Sequence, residues 1–600
     1  MKPSSYRARK LRLIGGLLVL LAFGAITALG QTGTSSVRGT VVDPTGKLVS
    51  GATVTLTNTE TNTSRNQTTS DSGVYVFELV PPGPYRVDIE AAGFKKAVIT
   101  NVQALVAKAT EVNAQLEIGA VSESVTVQAT ANEVSLNTQD ASLGNNFVTK
   151  QIGELPLEAR NVAGLLTLQP GVTREGSVTG SRADQANVTL DGVDINEQQS
   201  NQIGSTSSSD AASASPSTNT VLRLNAEAID EFRVVTANPN AQFGRSSGAQ
   251  VSLVTKGGTN ELHGSLFLFH RPTVLAANDF FNNRAGVYGP NDPQVALGQA
   301  QVGQEKVPRP ALIRNTFGGA LGGPIVRDRA FFFYSYEGRT DRSQQTVLQR
   351  VPLPTMGQGQ LRFANQTGPG GVTTFSAANF LSVFPSLNGT NPASLQALAA
   401  AAAKYPANDF GNTGDSFVDT NGQLVLLNTA GFRFNAYLPS NFNSHVGRLD
   451  YNLNSKQQLF ARINVNHDEI AGVPAFPDTP RPDTWSHPWG IAAGHTWTIS
   501  NRFVNNFRYG LTREAFTQQG DAAKNEIFFR FVFFPVLDSR TLQRVTPVHN
   551  FTDDFSWVMD NHTIQFGGNF RIVRNERTSF AGAFDTAYSN PSGYTSGSLL

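Results

Sequence analysis

Residues 459–466 read LFARINVN, and their side chains fall into two sets. Leu459, Ala461, Ile463 and Val465 take one face of an extended chain; Phe460, Arg462, Asn464 and Asn466 take the other. The alternation returns in 562–573, where Ile564, Phe566, Gly568, Phe570 and Ile572 oppose Thr563, Gln565, Asn569 and Arg571. In 445–453, His445, Gly447, Leu449, Tyr451 and Leu453 oppose Arg448, Asp450 and Asn452. A chain carrying a series of such strands has two ways to satisfy both faces. It can press the apolar faces together as a soluble sandwich, or close into a wall with apolar residues outward to lipid and polar ones inward. Periodicity alone leaves both open.

The N-terminus weighs toward the wall. Arg7, Arg9, Lys10 and Arg12 precede an apolar run from Leu13 to about Ala28, closed by Ala28-Leu29-Gly30. This predicts a signal peptide over 1–30, cut near Gly30 with Gln31 as the first mature residue. The alternative, a membrane anchor, needs a longer apolar run. No later stretch reaches 18 continuous apolar residues, so a membrane crossing falls to strands. The aromatic clusters Phe331–Tyr336, Phe528–Phe529 and Phe531–Pro535 are expected to form girdles at a membrane interface.

Composition narrows the chemistry. The chain has no cysteine, which excludes disulfides, thiolate metal sites, thiol nucleophiles and a lipoprotein anchor. A net charge of +1 gives no reason to expect a nucleic-acid partner. Charged residues make up only 16%, while 55 glycines and 39 phenylalanines suit strands and turns. Six hundred residues call for several domains.

Residues 31–119 hold short β-type runs at close spacing: Val37–Val42, Ala52–Thr57, Val74–Leu79, Tyr85–Ile89 and Val112–Ile118. Asp43-Pro44-Thr45-Gly46 and Asp71-Ser72-Gly73 are turns by composition. About seven strands so arranged predict a small β-sandwich. Tyr75, Phe77 and Leu79 should form its buried aromatic face, opposite Val74, Val76 and Glu78. Gly39, Asp43, Gly46, Gly51-Ala52, Gly73, Tyr75, Phe77, Gly83, Tyr85 and Gly93-Phe94 resemble the carboxypeptidase regulatory-like, prealbumin-like (carbohydrate-binding-like) domain. A zinc peptidase site is excluded here, because the first histidine in the chain is His263. A rigid spacer is the expected role, with sugar or partner binding as the alternative.

The junction between small domains and the strand series lies in 229–270. Gln242-Phe243-Gly244-Arg245, Ser247-Gly248-Ala249, Val254-Thr255-Lys256, Gly258-Thr259-Asn260 and His263-Gly264 resemble the plug-to-barrel handover of TonB-dependent outer-membrane receptors, in the Oar-like branch. Phe317-Gly318-Gly319, Leu321 to Ile325, Tyr336-Glu337-Gly338, Arg448 to Tyr451 and Ser556-Trp557 are similar to strands of those barrels. The resemblance implies a plug over 130–258 and the N-terminal part of a transmembrane antiparallel barrel over 259–600. It also implies outer-membrane lipid around the wall, an extracellular ligand, and import driven by a TonB-type energy-transducing protein of the periplasm. The TonB-box-like linker is placed at 120–129, with Glu123, Ser124, Val125, Thr126, Val127 and Ala129 as partner-binding residues. Such a segment is gripped as an added strand, mainly through its backbone. The last strand of the preceding sandwich is the other reading of the same residues.

Within the plug region, Asn161 is expected to cap a short helix before Pro170-Gly171. The run NVTLDGVDIN (187–196) predicts a hairpin turning at Asp191-Gly192. A calcium loop at Asp191, Asp194 and Asn196 lacks the required spacing. Residues 200–220, rich in Ser, Thr, Ala and Asn, read as a mobile loop. Residues 355–440 read as a long extracellular loop with a short helix at Ala397–Ala403.

About nine strands follow Leu262. A receptor barrel of about 22 strands needs roughly 800 residues at that spacing, so a partial barrel is expected. No nucleophile elbow, phosphate loop or HExxH motif is present, so no catalytic residue, cofactor or metal is assigned. The competing function is an outer-membrane surface, adhesion or carbohydrate-binding protein that does not transport.

Overall fold

A computed structural model of the chain describes residues 33–589 with breaks, the longest at 129–140, 197–219 and 383–390. The signal peptide, Glu123, Ala129, Asn161 and nearly all of the 200–220 stretch lie outside the described residues.

The N-terminal unit is a two-sheet sandwich. Its strands are β1 (Ser35–Val42), β2 (Thr53–Asn58), β3 (Ser64–Thr68), β4 (Val74–Val80), β5 (Gly83–Glu90), β6 (Lys96–Ala104), β7 (Ala109–Glu111), β8 (Ala114–Gln115) and β9 (Ser124–Gln128). One sheet runs β4-β1-β7, with β8 also on β1; the other runs β3-β2-β5-β6-β9. Val37, Leu56, Tyr75, Phe77, Val87, Ile89 and Leu116 fill the space between them. Tyr75 and Phe77 are buried as expected, but Val76 and Glu78 on the other face of β4 are buried too. The reason is that β4 lies against the C-terminal sheet, with Glu78 accepting a hydrogen bond from Gln565 Nε2 at 3.0 Å.

The inner unit is a five-stranded sheet of β10 (Leu143–Val148), β11 (Asn187–Leu190), β12 (Val193–Asp194), β13 (Ile229–Ala237) and β14 (Gln250–Thr255), ordered β10-β13-β14-β11-β12. A 3-10 helix, Val162–Leu168, covers it and buries Leu165 and Leu166 against Phe232 and Leu253.

The rest builds a wall. Its first strands are β15 (His263–Arg271), β16 (Leu312–Val326) and β17 (Ala330–Pro352). A connection follows that carries the hairpins β18 (Leu361–Ala364) with β19 (Val372–Phe375) and β20 (Ser416–Val418) with β21 (Leu424–Leu426), and the helix Pro392–Lys404. The wall resumes with β22 (Thr429–Asn454), β23 (Gln457–Ile470), β24 (Thr484–Ser486), β25 (Trp489–Thr498) and β26 (Phe503–Gln518). Past β27 (Glu526–Phe529) come β28 (Leu542–Met559), β29 (His562–Val573), β30 (Glu576–Ser579) and β31 (Thr586–Ser589). Eleven strands form one sheet, but β24 with β25, and β29 with β30, each share a single position along the wall. Nine positions result, matching the expected number. Among the described residues the order runs from β15 to β29, and these two ends do not pair with each other.

Two expectations need correction. The longest wall strands run well past the length a bilayer needs, β17 with 23 residues and β22 with 26. Residues 429–440, expected in the loop, pair with β17 from Thr429↔Pro352 to Ser440↔Asp341. Gly431, Asn435 and Pro439 make the segment read as a loop, yet its Ala436 and Leu438 are buried against Val347 and Val473. The second correction concerns the girdle. Phe528 and Phe529 are buried within the long connections, Phe529 with Met356 and Leu398, and Phe528 with Val536. In the cluster Phe331–Tyr336, alternation sends Phe331 and Phe333 inward and Tyr334 outward.

The wall is inverted relative to a soluble protein. Leu449, Ile463 and Phe570 are 54%, 49% and 64% exposed, while Arg462, Asn464 and Asn466 are at most 3% exposed. Large exposed apolar side chains with buried arginine and asparagine fit a lipid-facing exterior and a polar interior. The wall's short turns fall at one end, around Asp328, Lys456 and Asn501; the long connections fall at the other. The inner unit lies inside this wall and the sandwich sits at the short-turn end.

Candidate functional site

The hairpin expected at 187–196 forms, and it is the point where inner unit and wall meet. Asp191 and Gly192 link Leu190 to its partner Val193, both in the left-handed region at φ 51° and 77°. A two-residue turn of that hand matches strand twist and favours an Asp-Gly pair. At Gly192 a second constraint applies, since an added Cβ would stand 2.5 Å from Nη1 of Arg508. Beside it, Val193 fills the gap over Gly510, whose own added Cβ would collide with it.

Two carboxylates project from this tip. Asp191 accepts the backbone N–H and the hydroxyl of Thr255, both at 2.9 Å, which ties the turn to the end of β14. Its two oxygens also face the wall, with Arg448 Nη1 at 3.2 Å and Arg462 Nε at 2.9 Å. Arg448 is held in turn by Asp450 and by the carbonyl of Thr255. Asp194 pairs with Arg571 of β29 at 2.7 Å and with Arg245 of the inner unit. Asn196 fixes the hairpin from within, accepting from Val188 N–H and donating to Asn187 and Asp194.

A second cluster joins the other side of the inner unit to the wall. Glu337 of β17 lies between Arg160 at 3.4 Å and Arg223 at 3.6 Å. Arg160 also pairs with Glu227 and lies over the rings of Phe267 and Phe269, and Arg223 reaches Asp468 of β23. Asn225 donates to the hydroxyl of Ser335.

Buried ion pairs of this kind add little net stability, because both charges give up hydration. Their value is in position: removing one partner alone strands the other in a poor solvent and costs about 3–5 kcal/mol. Withdrawing the whole hairpin instead lets water reach both sides. The arrangement therefore defines one seated position while leaving the seat separable. Among the described residues no group of three acidic or histidine side chains has the geometry to hold a metal.

Toward the sandwich, Glu231 of β13 accepts the backbone N–H of Val106 at 2.8 Å and Asn146 Nδ2 at 2.5 Å. Burial pushes its carboxyl up to about 7. Burial likewise holds the Lys256 ammonium below its ordinary value.

Of the residues expected to bind a periplasmic partner, Ser124 to Val127 stand in β9, at the outer edge of the larger sandwich sheet. β9 runs parallel to β6, from Lys96↔Ser124 to Thr100↔Gln128. Ser124, Thr126 and Val127 are exposed. That Arg448, Arg462 and Arg571 converge on one hairpin is not legible in the sequence. Their inward placement is: each charged residue sits on the inward phase of a strand whose other phase is apolar, and its partner must come from whatever fills the interior.

Comparisons with known proteins bear on both halves. The family described as "Outer membrane beta barrel domain" matches residues 254–598, and "Carboxypeptidase regulatory-like domain" matches 36–117. The chain is 26% identical over 324 residues to the TonB-dependent transporter Oar of Myxococcus xanthus; the match takes in 52% of this chain and 27% of that protein. Among solved structures, the outer membrane transporter YddB of Escherichia coli aligns at a TM-score of 0.45 and 10% identity, over 76% of this chain and 51% of that one. The siderophore receptor PirA of Acinetobacter baumannii aligns at 0.39 and 12%, over 72% and 48%. The chain thus spans about a quarter of the length of its curated relative and about half that of these structures.

Proposed function

The chain belongs to the outer membrane beta barrel domain family of the bacterial outer membrane, and on that premise we propose that it acts as a TonB-dependent receptor, drawing an oligosaccharide or peptide ligand inward past a plug. In this reading residues 31–119 are the periplasmic sandwich, 120–129 the coupling segment, 130–258 the plug and 259–600 the wall. The observation that carries it is the seated hairpin: Asp191 and Asp194 of the plug engage arginines on three wall strands inside a polar lumen. A static filler would gain more from apolar packing; a polar, hydratable seat suits a part that leaves and returns. The similarity to the TonB-dependent transporter Oar of Myxococcus xanthus supports the same reading.

The coupling residues Glu123, Ser124, Val125, Thr126, Val127 and Ala129 supply the handle; of these, Ser124 to Val127 stand in the edge strand β9, to which a partner's strand adds through backbone hydrogen bonds. A photo-crosslinking residue at Thr126 of the whole protein, in living cells, tests this. Capture of a periplasmic protein anchored in the inner membrane is expected, with loss of capture when the proton gradient is dissipated. Absence of any such adduct would favour a surface protein without active transport.

A further inference from the structure

The sandwich touches the wall at several points of the short-turn end. Asn62 Nδ2 donates to Asp328 at 2.8 Å, Asn452 Nδ2 to the Thr63 hydroxyl at 2.8 Å, and Gln67 Nε2 to the Asn501 carbonyl at 2.7 Å. Asn260 N–H donates to the Glu60 carbonyl at 2.9 Å, and Gln565 reaches Glu78. These are single polar contacts, and beside them β4 lies along β26 and β28. The sandwich's core cluster is its own, and the one apolar cluster it shares with another unit is small: Val106 and Ala107 with Val254 and Phe243 of the plug. A cavity of about 180 Å³, bordered by Arg65 and Tyr85 of the sandwich, Asp191 of the plug and Arg508 of the wall, remains between the three.

An interface that is polar and thinly packed, around a domain with a complete core, is one along which the domain moves as a body. The sheet order adds a direction. The wall is touched through the β2–β3 turn, β3 and the neighbouring β4, whereas β9 is the opposite edge of the β3-β2-β5-β6-β9 sheet. Four inter-strand spacings, about 19 Å, separate β3 from β9. We infer that the sandwich is a removable cover on the periplasmic mouth, and that traction on β9 from a partner's strand tilts it off the wall before the plug shifts. The inference rests on the coupling role proposed for β9, and it adds a second closure in series with the plug.

The test uses the whole protein, with any cysteine outside residues 1–600 replaced by serine; these 600 residues contain none. First, spin labels at Lys47→Cys and Lys456→Cys, on exposed sites of sandwich and wall, report their separation in bilayers. A docked distance is expected in the parent. With Asn452→Ala and Gln565→Ala added, the distribution should move to longer, broader distances while the sandwich keeps its thermal transition. One narrow distance in both proteins overturns the removable cover. Second, Thr63→Cys and Asn452→Cys, bridged by oxidation or a short bifunctional thiol reagent, tether the cover. Ser252→Cys in the plug then reports plug movement by labelling with an impermeant maleimide dye in energised cells. The tether is expected to leave the Thr126 photo-adduct intact and to reduce Ser252→Cys labelling at least tenfold. Equal labelling with and without the tether sinks the cover as a gate. Loss of the Thr126 adduct in the untethered protein instead sinks the coupling reading.

Discussion

The Asp191 carboxylate stands 2.9 Å from Nε of Arg462, and both side chains are closed off from solvent. One belongs to a turn of the plug and the other to a wall strand. Asp191 is held further by Thr255 and Arg448, and Arg462 by Asn464.

Asp191→Ala should therefore loosen the plug more than an ordinary buried substitution. It leaves two guanidiniums, Arg448 and Arg462, facing an empty position, at a cost of about 3–5 kcal/mol. Urea titration followed by protease cleavage within the plug should show an earlier midpoint, with the wall unchanged. Asp191→Asn, which keeps an acceptor for Thr255, should fall between parent and Ala.

Gly192→Ala meets two separate penalties. The left-handed backbone costs about 1–2 kcal/mol, and Arg508 blocks the new methyl. Adding Arg508→Ser should recover the steric part and leave the backbone part. Full recovery in the double variant, measured by the same urea midpoint, would mean that the turn's φ carries no cost.

Proline at Val125 or Val127 removes a backbone donor from β9 and fixes φ. Partner capture should vanish in both variants and persist in Thr126→Ala. The sandwich should melt within a few degrees of the parent, because β9 lies outside its core cluster. Collapse of the sandwich in the proline variants would identify β9 as structural instead.

Burial raises the Glu78 carboxyl from its ordinary range to about 7, with Arg38, Arg65 and Gln565 only partly opposing this. When the sandwich lifts, Glu78 regains water and its usual acidity. The docked state thus holds its proton more tightly. Its advantage is complete below about pH 4.5 and falls away as pH rises through about 7. The spin-label distance should lengthen between pH 5.5 and 8.5, and Glu78→Gln should flatten that response.

Leu449→Arg tests the direction of the wall. A charge on the lipid side near mid-membrane costs about 2–4 kcal/mol. Assembly into the heat-modifiable outer-membrane form should drop sharply, whereas Asn464→Gln on the inner phase should assemble normally.

What the sequence revealed and what it hid follow a physical line. Arg448 beside Leu449, and Arg462 beside Ile463, announce which phase faces inward, since alternation is a local property of an extended chain. Asp191-Gly192 announces its turn for the same reason. The pairing of Asp191 with Arg448 is not local: 257 residues separate them, and nothing near either one names the other. The length of β22 was hidden because Gly431, Asn435 and Pro439 read as turn residues, while Ala436 and Leu438 are covered by Val347 and Val473 from distant segments. The burial of Glu78 was hidden because its cover comes from Gln565, in another domain.

The seated hairpin also sets a clock on biogenesis. Its strand β11 pairs in parallel with β14 some sixty residues onward, and its aspartates wait for arginines that leave the export channel far later. Contacts so distant along the chain form slowly, because loop closure precedes any reward. Until Arg448 and Arg571 arrive, the tip carries two carboxylates that keep it hydrated and out of premature apolar association. The seat is thus made last, since the hairpin precedes in the chain every wall arginine that receives it.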